Sequence, residues 1–153
     1  MRVNWKKLLL CLAVPLAVGG LAAALSGGMG EMYQSYNKPP LSPPGWVFAV
    51  VWPVLYGLMG YASYLVLQGS GDKKKAWIFY GAQLAVNFLW PIVFFRFELI
   101  GLALALLAVL WVLVLLTIRE FSRINERAGD LLIPYILWLS FALYLNFGIY
   151  ILN

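Results

Sequence analysis

Five long apolar stretches, none containing Asp, Glu, Lys or Arg, leave this chain few ways to fold. They run over about 8–25, 45–67, 76–95, 99–118 and 131–152. A helix rising about 1.5 Å per residue needs about 20 apolar residues to cross a hydrocarbon layer of about 30 Å. In that layer a backbone must satisfy its own hydrogen bonds, which selects helices for runs of this length. Hydrophobic residues make up 63% of the chain and charged residues 11%, where a soluble domain carries about 25% charged. The expectation is an all-α integral membrane protein, a bundle of five transmembrane helices forming a single domain over 1–153.

The joints set the direction of the chain. Five spans place nine cations on the N-terminal side, Arg2, Lys6, Lys7, Lys73, Lys74, Lys75, Arg119, Arg123 and Arg127, against Lys38 and Arg96 on the other. That bias predicts a cytoplasmic N-terminus and an outward C-terminus. The net charge of +5 is thus spent at helix ends, and no basic patch for nucleic acid is predicted. The N-terminal run could be read as a signal peptide, with Ala22-Ala23-Ala24 as its cleavage site, but it is long for that role. One cysteine, Cys11, excludes an internal disulfide and reads as a packing residue. With no histidine, neither imidazole ligation nor an imidazole proton relay is available, and no metal site is expected. The absence of ionisable groups inside the spans disfavours a proton-driven pump.

The first loop, Ser26 to Ser42, holds Glu31, Tyr33, Tyr36 and Lys38, and four of the eight prolines fall between Pro39 and Pro44. Proline fixes φ and removes a donor, so this segment is a stiff non-helical cover at the membrane surface. Lys38 could pair with an acidic ligand group at the rim or stay solvated. In the third span, Gln83, Asn87, Trp90 and Phe94 share one stripe at about 100° per residue and should face the interior. Gly81 and Ala85 fall opposite, with the small-xxx-small spacing of close helix contacts, and could form a dimer face; Gly101 and Ala105 repeat that common spacing. In the second span, Ala49, Trp52, Tyr56, Met59 and Ser63 share a face. In the fifth, Tyr135, Trp138, Ala142, Leu145 and Asn146 do so. Trp5 and Trp77 suit interfacial anchoring better than Trp52 and Trp138 do. These stripes fit two readings equally: an uncharged aromatic cavity for a flat apolar ligand, or an ordinary core of large side chains. Pro53 and Pro91 free the carbonyls of Ala49 and Asn87 beside that face.

Several ordered motifs resemble the TspO/MBR family, the bacterial tryptophan-rich sensory proteins and the mitochondrial translocator protein. They are Lys38-Pro39-Pro40-x-x-Pro43-Pro44-Gly45, Val51-Trp52-Pro53-Val54-Leu55-Tyr56-Gly57, Gln83-x-x-x-Asn87-x-x-Trp90, and the stretch from Leu132-Ile133-Pro134-Tyr135 through Trp138, Phe141, Ala142 and Leu145 to Asn146. The resemblance implies a five-helix bundle in a bacterial cell membrane, commonly a homodimer, for which the Gly81 and Ala85 spacing offers the third helix. It implies a receptor or carrier for porphyrins such as protoporphyrin IX and haem, with no resident cofactor. Matched motif by motif, the ligand-binding residues would be Tyr33, Pro43, Trp52, Asn87, Trp90, Trp138, Phe141, Ala142 and Leu145. The family also implies an alternative, light- and oxygen-dependent porphyrin breakdown, in which Trp52 and Trp138 would take part; no conventional catalytic constellation is visible. Animal members end in a cholesterol-recognition pattern requiring a basic residue after a tyrosine. Here Tyr150 is followed by Ile151, Leu152 and Asn153, so a sterol site does not carry over.

Overall fold

A computed structural model of the protein describes residues 2–27 and 33–153; Glu31 of the first loop lies outside them. The described residues contain no strand. The principal helices are α1 (Trp5–Leu25), α2 (Gly45–Gln68), α3 (Lys74–Pro91), α4 (Ile100–Ile124), α5 (Glu126–Leu131) and α6 (Ile133–Leu152). Among the described residues, five segments are long and apolar enough to cross a membrane: α1, α2, α3 with the π-helical turn that follows it (Lys74–Arg96), α4, and α5 with α6 (Glu126–Leu152). The protein is a multi-pass, all-α membrane protein.

Helix ends overrun the apolar stretches where charged residues are good helix formers. α1 starts at Trp5 rather than Leu8, and the Asn4 side chain caps it by accepting from the Lys7 amide at 3.2 Å. α4 continues past Ile118 to Ile124, and Arg123 pairs with Glu120 at 2.6 Å on its last turn. The charged connection after it is mostly helix too, because Asn125 caps the short α5 through the Arg127 amide at 2.9 Å. Pro134 sits in the first turn of α6, where its missing N–H costs little.

The helices close a ring. α1 lies along α2 and α3, α3 along α4, and α4 along α6, while α5 tucks against α2 and α4. α2 and α6 meet chiefly through large side chains: the Trp52 ring stands 6.4 Å from those of both Tyr135 and Trp138, edge to face. Contact between α1 and α2 is far closer. A Cβ on Gly60 would lie 2.7 Å from the Leu12 Cα and 2.8 Å from the Cys11 carbonyl oxygen, so the two backbones touch there. Met59, Leu107, Leu110, Val114 and Leu139 fill the centre, and residues such as Val50, Val54, Leu102, Val112 and Leu137 cover the outside. An apolar exterior is what a bilayer requires.

A candidate ligand-binding cavity

On the side of the first loop the ring does not fill. A cavity of about 470 Å³ lies between α1, α2 and α3, within the range of about 300–1,000 Å³ typical of small-molecule sites. None of the described residues that line it is charged. Helix α1 supplies small residues, Gly19, Gly20, Ala22 and Ala23; α2 supplies Phe48, Trp52 and Tyr56; α3 and its π-turn supply Asn87, Trp90 and Phe95.

Local sequence explains each wall. At Gly19 an added Cβ would collide with the Tyr56 ring, so glycine lets that ring lie flat against α1. Pro53 lies within α2 on the cavity side and removes one backbone donor there. Pro91 ends α3, and the chain continues as a π-helical turn, Ile92–Arg96, closed by the Phe97 amide on the Ile92 carbonyl at 3.1 Å. The extra residue per turn rotates Phe95 back over the cavity, beside Trp90 at 6.0 Å between ring centroids.

Beneath the cavity runs a neutral hydrogen-bonded chain. The Tyr56 hydroxyl donates to Asn87 Oδ1 at 2.9 Å, Asn87 Nδ2 donates to the Tyr135 hydroxyl at 2.6 Å, and Tyr135 donates to Gln83 Oε1 at 2.8 Å. Trp90 Nε1 donates to Asn146 Oδ1 at 3.0 Å. These bonds tie α2, α3 and α6 together without a charge. Asn87 retains one amide hydrogen and one lone pair beyond the bonds it makes. Trp138 Nε1 is buried without a partner among the described residues.

The proline segment forms the cover. Pro39 rests on Gly148 of α6, where any Cβ would clash with its ring. The Tyr144 hydroxyl donates to the Pro40 carbonyl at 2.6 Å and the Tyr33 hydroxyl to the Pro43 carbonyl at 2.7 Å. The Asn153 amide donates to the Asn37 carbonyl at 2.8 Å and accepts from its N–H at 3.2 Å. Lys38 is held within the loop: Nζ donates to the carbonyls of Tyr33 and Tyr36 at 3.0 and 3.2 Å and sits over the Tyr33 ring. Burial holds the Tyr33 phenol above its ordinary pKa. Burial, with Glu98 adding to it, does the same for Tyr36. Both therefore stay protonated donors at neutral pH.

The residues matched from sequence fall into two groups. Tyr33, Trp52, Asn87 and Trp90 line the cavity itself. Ala142 and Leu145 line a second void of about 20 Å³ that shares Tyr33, Phe48, Trp90 and Phe95 with the first. Trp138 stands behind that wall, 5.6 Å from Phe48, and Phe141 packs on Trp138 at 5.7 Å. Pro43 contributes its carbonyl to Tyr33. Gly81 and Ala85 are exposed on the outer face of α3. Sequence reasoning missed the whole contribution of α1. The Gly19-Gly20 pair, in the middle of a span, was the available signal.

Fold and cavity together define a class: a small multi-pass membrane protein built around an aromatic cavity, with no charge among its described lining residues, beneath a proline-rich cover. The profile of the TspO/MBR family matches residues 10–152, and the chain belongs to that family. It is 40% identical to a tryptophan-rich sensory protein of Cereibacter sphaeroides, over 100% of this chain and 95% of that one. It is 36% identical to a tryptophan-rich protein TspO of Chlorobaculum tepidum, over 95% of each. Its identity to a translocator protein of Bos taurus is also 36%, over 88% of this chain and 82% of that one. These names place it in a family of membrane sensory and translocator proteins.

Proposed function

We propose that the protein is a membrane receptor or carrier for porphyrins and related flat, apolar molecules, which it holds in the cavity under the first loop. The observation that carries this reading is the wall chemistry: about 470 Å³ faced by the rings of Phe48, Trp52, Trp90 and Phe95, with no charge among the described lining residues. A flat conjugated ligand gains stacking there beyond its apolar burial. The amide hydrogen and lone pair that Asn87 keeps free supply polar contacts that fix orientation, while Trp138 backs the Phe48 ring from behind the wall. Tyr33, Pro43, Phe141, Ala142 and Leu145 complete the surround, with the smaller void as an extension toward α6. With the nine cations facing the cytoplasm, the cavity lies in the opposite half of the bilayer.

Titrating protoporphyrin IX against tryptophan fluorescence in reconstituted vesicles tests the reading. Saturable quenching is expected, and Trp52→Ala should weaken it about tenfold, the worth of one stacked ring together with its buried area. Equal affinity in the two proteins removes Trp52 from the site.

The second protomer of a homodimer would sit on α3. Gly81 and Ala85 are exposed there, and a Cβ on Gly81 meets nothing within 4 Å. Leucine at Gly81 is expected to convert a dimer to a monomer, read as mass by light scattering in detergent. An unchanged dimer excludes this face.

A further inference from the structure

We infer that the cavity is entered sideways from the bilayer, through a portal between α1 and α2, and not from water through the proline cover. The inference rests on the cavity being a binding site, but not on porphyrin being its ligand. Ala49, Pro53, Tyr56 and Gly60 lie on one stripe of α2 at about 100° per residue, and that stripe faces α1. At Gly60 it touches the α1 backbone, and at Tyr56 it touches Gly19. One and two turns nearer the cover, Pro53 and Ala49 are exposed although they point the same way. The two helices therefore splay from a pivot at Gly60, and the gap widens toward the cover.

The cavity fills that gap. Its deep walls, Tyr56, Asn87 and Trp90, are buried, whereas the lining residues at the seam, Gly20, Ala23 and Ala49, are exposed. A Cβ on Gly20 would meet nothing within 4 Å among the described residues, so there the mouth is edged with residues that have almost no side chain and is open between α1 and α2. By contrast, Tyr144 and Asn153 hydrogen-bond the cover to the C-terminal helix end, and Tyr33 and Lys38 brace it from within the first loop. An apolar ligand already dissolved in the hydrocarbon meets the open side first, and a mouth of glycine and alanine admits a flat ring system without side-chain rearrangement.

Labelling of a cavity cysteine in vesicles tests this without any presumed ligand. Ala22→Cys, in a Cys11→Ser background, places a thiol on the cavity wall, and N-(1-pyrenyl)maleimide dissolved in the membrane is the probe. Adding Gly20→Leu and Ala49→Leu is expected to slow labelling about tenfold or more, the effect of about 1.4 kcal/mol on a barrier. Tyr144→Phe with Asn153→Ala, which loosens the cover, should leave the rate unchanged, and a charged, water-soluble maleimide should react slowly throughout. Ala23→Leu, on the same edge, provides a second plug should the double variant unfold. Faster labelling on loosening the cover, or an unchanged rate in both plugged proteins, overturns the portal. Failure of protoporphyrin IX to bind while the plugs still slow labelling would instead remove the porphyrin reading and leave the portal standing.

Discussion

Leucine in place of Gly60 is expected to cost about 3 kcal/mol or more of stability, at the upper end for overpacking, because nothing at the site can move aside. The atoms that an added Cβ would meet, the Leu12 Cα at 2.7 Å and the Cys11 carbonyl oxygen at 2.8 Å, are backbone. Even alanine must push α1 and α2 apart, so Gly60→Ala should destabilise as well. Gly57 supplies the control within the same helix: a Cβ there meets nothing within 4 Å, and Gly57→Ala should be neutral or gain up to about 1 kcal/mol from helix propensity. Unfolding in a denaturing detergent titration reads both. Equal effects at the two glycines would mean that α1 and α2 do not touch at Gly60. The same contact sets the pivot from which the helices diverge, so its loss should also change the shape of the cavity.

Replacing Asn87 by leucine is the second large effect. Asn87 is buried and joins Tyr56 of α2 to Tyr135 of α6. Leucine keeps the volume but leaves the Tyr56 hydroxyl with no acceptor and Tyr135 with Gln83 alone. Interhelical hydrogen bonds in membranes are worth about 0.6 kcal/mol each and up to about 1.7. A stranded buried hydroxyl costs about 1–3 kcal/mol. The expected loss is therefore about 1–3 kcal/mol. Adding Tyr56→Phe removes the stranded group, so Asn87→Leu/Tyr56→Phe should be more stable than Asn87→Leu alone. If the second substitution instead adds its own full cost, the two side chains are not coupled and the hydrogen-bonded chain beneath the cavity is not intact.

Much of this architecture was legible in the sequence, and the exceptions have physical causes. Uncharged runs of membrane length dictate helices, so the five spans were visible, and the 100° periodicity placed Gln83, Asn87, Trp90 and Phe94 inward, where they are buried. The ends of α1 and α4 were not visible, because Lys, Arg and Glu propagate a helix beyond the hydrocarbon as readily as Leu does within it. Pairing the faces of the second, third and fifth spans put the predicted cavity against α6. The larger void instead opens toward α1, whose wall is glycine and alanine. Periodicity weighs side chains, and residues with almost none give it little signal. Phe95 escaped for a different reason: the π-turn after Pro91 breaks the 100° step that any helical wheel assumes. The role of Lys38 depends on where the carbonyls of Tyr33 and Tyr36 point, which only the folded loop determines.

An experimental structure with protoporphyrin IX bound at saturation tests the central claim most directly. Density for the flat ring system is expected between Gly19 and Gly20 of α1, Trp52 of α2, and Asn87 and Trp90 of α3, beneath the prolines. Ring density on the outer faces of the bundle, or an empty cavity at saturating porphyrin, would contradict the account.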